Sequence, residues 1–150
     1  MKKHPLNDQD RALVKVAVDA IKQPVMQIGS VQEPSLVGSA LRLASGEVFT
    51  AQNMIVDVGS ISMCAEPQAI AQANRVKNRK IESIVAVYYL PGQEPRVIPP
   101  CGRCREIITD FIGDGFVILR DPGSDDLYKV SASELLPLKY ALYWKGDQLI

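Results

Sequence analysis

IESIVAVYYLPGQEPRVIPPCGRCREIITDFIGDGFVILR (residues 81–120) contains the three successive elements that decide the fold class. IESIVAVYYL (81–90) is a continuous apolar run, the pattern of a strand buried on both faces. A proline-punctuated loop follows, and CGRCREIITDFIG (101–113) reads as a helix. FVILR (116–120) is a second buried strand. Strand, helix, strand in this order predicts a parallel pair joined by a right-handed crossover, and so a layered α/β domain.

The flanks agree with that reading. Asn7 or Asp8 can cap a helix whose Leu13, Val14, Ala17, Val18 and Ile21 share one face, with Pro24 ending it. SLVGSALRLA (35–44) and EVFTAQNMIV (47–56) flank Ser45-Gly46 as the arms of a hairpin. CAEPQAIAQANRVK (64–77) reads as a helix with Ala69, Ile70 and Ala73 inward. Pro67 is tolerated only in its first turn, which puts Cys64 to Glu66 at the helix N-terminus. DPGSDD (121–126) is a turn, LYKV (127–130) a short strand, and SASELL (131–136) a short helix capped by Ser131 or Ser133. No linker or repeat divides the chain, so residues 1–150 are expected to form one domain with a mixed sheet.

Composition narrows the function. Lys plus Arg and Asp plus Glu are 17 each, whereas nucleic-acid binders carry a basic excess, so a small, uncharged or modestly charged ligand is expected. Arg75, Lys77, Arg79 and Lys80 read as the solvated, cationic end of a helix. No apolar run approaches the roughly 20 residues that span a bilayer. The start, MKKHPLNDQD, has no apolar core or cleavage site, so a cytoplasmic protein is expected. The three cysteines are an odd number, which argues against a disulfide framework in that compartment. The single histidine, His4, leaves no room for a catalytic pair built around imidazole elsewhere.

PPCGRC (99–104) therefore has three readings: a redox pair, half of a structural zinc site, or part of a catalytic one. Cys64 opens one helix, and Cys101 and Cys104 open another. Sulfurs of a CxxC at a helix start lie on one face and can hold one ion, and Cys64 would complete three thiolates. Zinc takes four tetrahedral ligands, so three from protein leave a position for water. Glu66, two residues after Cys64, is placed to exchange a proton with that water. A thioredoxin-like pair leaves Cys64-Ala-Glu66 unexplained, and a structural site with His4 as fourth ligand has no spacing logic.

Cys-Ala-Glu followed by Pro-Cys-x-x-Cys is the all-cysteine form of the zinc deaminase signature. With MCAE (63–66), IVAV (84–87), RVIPPCGRCREII (96–108), ELLPLKY (134–140) and VGSAL (37–41), the chain resembles the cytidine deaminase superfamily, and within it the blasticidin S deaminases. The resemblance runs in order from about Asp10 to Tyr140. It implies a three-layer α/β/α fold around a five-stranded mixed sheet, and a homotetramer whose active sites neighbouring subunits complete. The implied reaction is hydrolytic release of ammonia from C4 of a cytosine nucleoside or a cytosine nucleoside antibiotic. Carried over by position, Cys64, Cys101 and Cys104 hold one zinc ion, Glu66 shuttles protons, and the Ala65 backbone contacts the base. Asn53 matches the asparagine that binds ribose.

Three departures bear on the substrate. Position 55 is isoleucine where the ribose pattern Asn-x-Glu has its glutamate, which favours a modified sugar unless Asp57 takes that role. Ser35 stands where many cytidine deaminases carry a base-stacking aromatic, so Tyr140, Tyr143 or Trp144 is expected to stack instead, from this subunit or a neighbour. Pro67 replaces an arginine that often follows the glutamate. Arg103 is expected to compensate the negative charge of three thiolates in its place, and Arg96 to steer an anionic substrate group. A non-catalytic member that keeps fold and zinc, or a deaminase of another heterocycle, stands as the alternative.

Overall fold

The computed structural model describes residues 1–23, 35–140, 144–145 and 148–149. Helix α1 (Asp8–Lys22) begins at a reciprocal cap. The Asp10 N–H donates to the Asn7 side chain at 2.8 Å, and the Asn7 N–H donates to the Asp10 carboxylate at 3.1 Å. Leu13, Ala17 and Ile21 are buried as the periodicity predicts, while Val14 and Val18 sit at the edge of the same cluster. The helix ends at Lys22 with Gln23 as its cap. Pro24 lies outside the described residues.

β1 (Val37–Leu43) and β2 (Val48–Gln52) form the expected hairpin, with Ala40 opposite Thr50. Gly46 turns it at φ +95°, a conformation that costs a residue without Cβ nothing. Helix α2 (Ala65–Ala73) is shorter than the predicted 64–77. The chain turns after Ala73, Val76 folds back against the core, and Arg75 and Lys77 fall in that turn instead of on a helix.

β3 (Ile81–Tyr88) is the central strand. It pairs antiparallel with β1 on one side and parallel with β5 (Phe116–Arg120) on the other, and helix α3 (Gly102–Phe111) lies between β3 and β5 in the chain. β6 (Leu127–Ser131) closes the sheet against β5, giving the order β2-β1-β3-β5-β6. A short extra strand, β4 (Arg96–Ile98), pairs with Ala86 to Tyr88. The mixed sheet thus has the five expected strands plus a sixth that the surrounding prolines concealed. The predicted helix at 131–136 is a 3-10 turn (Ala132–Leu135). Ser131 precedes it without a capping hydrogen bond, its hydroxyl meeting that of Ser133 instead. A small hairpin pairs β7 (Trp144–Lys145) with β8 (Gln148–Leu149).

Period-two alternation divides the core into two layers. Leu41, Ile84 and Val117 face α2 and α3, meeting Ile70, Cys104 and Ile108. Ala40, Val85 and Ile118 face the opposite side, where Leu13 and Ala17 of α1 pack. Because β3 contributes to both, its sequence shows no polar alternation. α1 approaches so closely that a Cβ on Gly38 would lie 2.8 Å from the Ile21 Cβ and 2.9 Å from the Ala17 carbonyl.

On the α1 side a buried ionic cluster joins the layers. Asp10, fully buried, accepts from Lys129 Nζ at 2.6 Å and Ser83 Oγ at 3.0 Å, with Arg42 at 3.8 Å. Arg42 also pairs with Glu82. Burial pushes the Asp10 carboxyl up, but the hydrogen bonds from Lys129, the Asn7 backbone and Ser83, with the Lys129 charge, hold it below its ordinary value. Among the described residues no helix is long and apolar enough to cross a membrane.

Candidate metal centre and pocket

Two helix starts make the site. Cys64 is the N-cap of α2 (φ −65°, ψ 160°) and Cys101 the N-cap of α3 (φ −66°, ψ 169°). Neither side chain caps its own helix, so both sulfurs are left to face one another. Cys104, one turn into α3, is buried beneath them. The Cys64 and Cys101 sulfurs are 3.8 Å apart, and all three lie within 4.8 Å of one another. Thiolates about 2.3 Å from one tetrahedral ion stand about 3.8 Å apart, so this donor set fits zinc with small adjustments. Both helices also direct the positive end of their dipoles at the sulfurs.

Among the described residues this is the one cluster of cysteine, histidine and acidic side chains with metal-site spacing. His4 is committed elsewhere: its backbone bridges to Lys129, and its ring meets Phe116 edge-on at 5.5 Å. The structural-zinc reading with His4 as fourth ligand is thereby removed. The third sulfur beside Cys101 likewise leaves the simple redox pair without support.

Glu66 is 4% exposed and lines the same pocket as Cys64 and Cys101. Burial pushes its carboxyl up, opposed by its own backbone N–H and the Cys104 thiol. Burial and then the Glu66 charge push Cys104 strongly up, and burial raises Cys64. Cys101 is also penalised by burial, but the Cys104 N–H and the thiols of Cys104 and Cys64 outweigh this and lower it.

The pocket measures about 280 Å³. That is near the lower bound of roughly 300 Å³ for small-molecule sites, room for a ring with limited space beyond it. Its walls include Val37, Asn53, Ile55, Met63 and Ile98. Met54 and Met63 exchange backbone hydrogen bonds, which cinch the loop between β2 and α2 that carries much of this wall.

The predicted residues fall into groups. Cys64, Cys101, Glu66 and Asn53 line the pocket, with Cys104 beneath. Ala65 is fully buried as the first residue of α2. The Asn53 side-chain oxygen accepts from the N–H groups of Leu36 at 2.9 Å and Val37 at 2.8 Å, so only its NH2 remains to meet a ligand. Ser35 donates to the Asn53 carbonyl at 2.6 Å. Ile55 lines the wall, whereas Asp57 and Arg96 do not, and Arg96 is exposed on β4. Arg103 donates to the Ser62 carbonyl at 3.2 Å, tying the start of α3 to the pocket wall; no hydrogen bond joins it to a sulfur. Tyr140 is 72% exposed and outside this pocket. The expectations for Tyr143 and for the Trp144 side chain fall outside the described residues.

Two glutamines escaped the sequence reading. Gln68 Nε2 donates to the carbonyls of Gln52 at 2.7 Å and Cys64 at 3.2 Å, and Gln72 Nε2 to that of Thr50 at 2.8 Å. Their spacing of one helical turn against two strand residues was the available signal.

No family model matches the chain. It is 35% identical to the blasticidin-S deaminase of Bacillus cereus over 144 residues, 93% of this chain and 98% of that protein. It is 26% identical to a cytidine deaminase of Halalkalibacterium halodurans over 125 residues, 83% of this chain and 89% of that one. Among solved structures, the cytidine deaminase from Burkholderia pseudomallei superposes with a TM-score of 0.69 at 25% identity, covering 90% of this chain and all of that one. That from Bacillus anthracis gives 0.72 at 21% identity, covering 89% and 90%.

Proposed function

Because the chain belongs to the cytidine deaminase superfamily, we propose that it is a cytoplasmic, zinc-dependent hydrolytic deaminase of a cytosine nucleoside with a modified sugar, of the blasticidin S type. The observation that carries this reading is a cluster of three sulfurs, two of which line one ring-sized pocket together with a buried carboxylate while the third, Cys104, lies beneath them. Family membership and the similarity to a blasticidin-S deaminase over almost the whole chain support it.

Cys64, Cys101 and Cys104 would hold the zinc. When bound, the ion would supply Lewis-acid activation of water. Glu66 takes a proton from the water that attacks C4 of the ring. It delivers that proton to N3, then takes the remaining proton from the hydroxyl now on C4 and passes it to the C4 amine as the C–N bond breaks and the carbonyl forms. Water and cytosine thus become uracil and ammonia. A carboxyl whose affinity for a proton is raised by burial suits both directions of that transfer near neutral pH. The Ala65 backbone, at the start of α2 beside Glu66, meets the base. Arg103, between two of the cysteines in sequence, adds positive charge to their surroundings.

The sugar side is apolar where Ile55 stands, and Asn53 offers donors only. That combination suits a sugar other than plain ribose. Tyr140 stands clear of this pocket, so a stacking role for it belongs to the pocket of a neighbouring subunit of a homotetramer. Exposed Met54, Val58 and Ile61 in the pocket-wall loop are suited to such a contact.

The test is to incubate zinc-loaded protein with cytidine, deoxycytidine and blasticidin S and follow loss of the cytosine absorbance, with Glu66→Gln as control. Turnover of blasticidin S alone supports the full reading. Turnover of cytidine keeps the deaminase and overturns the sugar assignment. Silence on all three with zinc bound overturns the reading.

A further inference from the structure

We infer that Gln68 is a positioning residue of the metal centre: its side-chain amide locks the Cys64 peptide to the end of β2 and so sets where the Cys64 sulfur stands. The inference rests on the reading of the three cysteines as zinc ligands. It assigns a role to a residue outside the cysteine and glutamate motif.

The three sulfurs come from two helices, so their spacing depends on how the start of α2 is held relative to α3. Cys64 occupies the N-cap, yet its side chain makes no capping bond to the helix. The stabilisation that a Ser or Asp would give that turn is absent. Gln68, one turn on, supplies a different tether. Its Nε2 donates to the Cys64 carbonyl at 3.2 Å and to the Gln52 carbonyl at 2.7 Å. A primary amide has two N–H donors, and these are its two shortest contacts; a longer one, to the Met63 carbonyl at 3.5 Å, falls on the peptide just before Cys64. One joins the cysteine's own peptide, the other the last residue of β2.

Gln52 is itself anchored. Its side chain donates to the carbonyls of Ala20 at 2.5 Å and Gln23 at 2.9 Å, at the end of α1. The tether on Cys64 therefore ends on a fixed point of the sheet and not on a loop.

Gln72 shows that the arrangement is geometric. It lies one turn beyond Gln68 and donates to Thr50, two residues before Gln52. Four helical residues rise about 6 Å and two strand residues about 6.6 Å, so the two bonds run side by side between α2 and β2. Only the first touches a cysteine. Gln72 is therefore an internal control for the difference between bracing α2 and positioning a ligand.

The experiment compares wild type, Gln68→Met and Gln72→Met, with Gln68→Asn as a second variant that keeps the amide but shortens its reach. Zinc affinity is read by competition with a chromophoric chelator. Cobalt substitution reads the thiolate charge-transfer and ligand-field bands, and thermal unfolding of the metal-free proteins reads stability. Outer-shell partners of metal ligands typically contribute 10–100-fold in affinity. Both Gln68 variants are expected to bind zinc at least about tenfold more weakly and to shift the cobalt bands. Gln72→Met is expected to match wild type in both, and the metal-free Gln68→Met and Gln72→Met proteins to unfold at similar temperatures. Equal zinc affinity and cobalt spectra for wild type and Gln68→Met would overturn the role. So would equal losses in the Gln68→Met and Gln72→Met proteins, which would make both glutamines plain braces. A wild-type protein that binds no zinc would overturn the ligand assignment itself, a result distinct from either.

Discussion

Glu66 and Asn53 stand on the same pocket and do different kinds of work. Glu66 has few structural partners, and its buried carboxyl is held towards the protonated form by desolvation. Glu66→Gln keeps the shape and removes the proton exchange proposed for it. Turnover is expected to fall by about 10²–10⁴-fold, with zinc content, measured by atomic absorption, unchanged. Asn53 combines a fold-building oxygen with a place in the pocket lining. Its oxygen accepts two backbone N–H groups at the start of β1, so Asn53→Ala leaves these unpaired and should cost about 1–3 kcal/mol in urea unfolding. Asn53→Asp preserves the acceptor and loses the donors. It should retain most of the stability and raise KM, a split that a purely structural asparagine would not show.

At the scale of elements, close approach decides what each position tolerates. α1 lies against β1 at Gly38, where an added methyl group would contact the Ala17 backbone carbonyl and the Ile21 Cβ. Neither is the flexible end of a side chain, so α1 itself must move. Gly38→Ala is expected to destabilise by about 1–3 kcal/mol, read as a lower urea midpoint at unchanged slope. The elements also show how far local pattern reaches. The apolar run of β3, the Asn7 cap and the paired cysteines at helix starts were legible because each depends on neighbours in sequence. β4 was not, because three residues among prolines become a strand only when the end of β3 offers them partners. The early end of α2 is of the same kind, since Val76 is drawn back onto the core.

Across the whole molecule, the cluster around Asp10 joins α1, β1, β3 and β6 through buried charge. Its carboxyl lies below the ordinary value of 3.8 in the folded protein. A depressed carboxylate contributes stability that is present above the unfolded value and is lost as pH falls through the folded one. Wild type should therefore lose stability in acid below about pH 4, with Asp10 a contributor to the loss. Asp10→Asn leaves Lys129 without its counter-charge, while Arg42 keeps Glu82, so it is expected to cost about 3–5 kcal/mol at pH 7. The gap between wild type and Asp10→Asn, measured by urea unfolding, should narrow as the pH drops from 7 to 3. A gap that stays constant would show that the charge of Asp10 is not what holds the cluster.

The sequence by itself determined the layered α/β class, the family resemblance and the candidate site residues Cys64, Glu66, Cys101 and Cys104. These follow from burial periodicity and from short motifs at helix starts, which a chain carries locally. Only the tertiary structure decided that Cys64 stands 3.8 Å from Cys101 across 37 residues, that the Asn53 oxygen is spent on the backbone, that Arg103 reaches Ser62, and that Gln68 ties Cys64 to Gln52. Each of those is a contact between segments distant in sequence. Its partner is chosen by how the two helices pack on the sheet, and no local pattern records that choice.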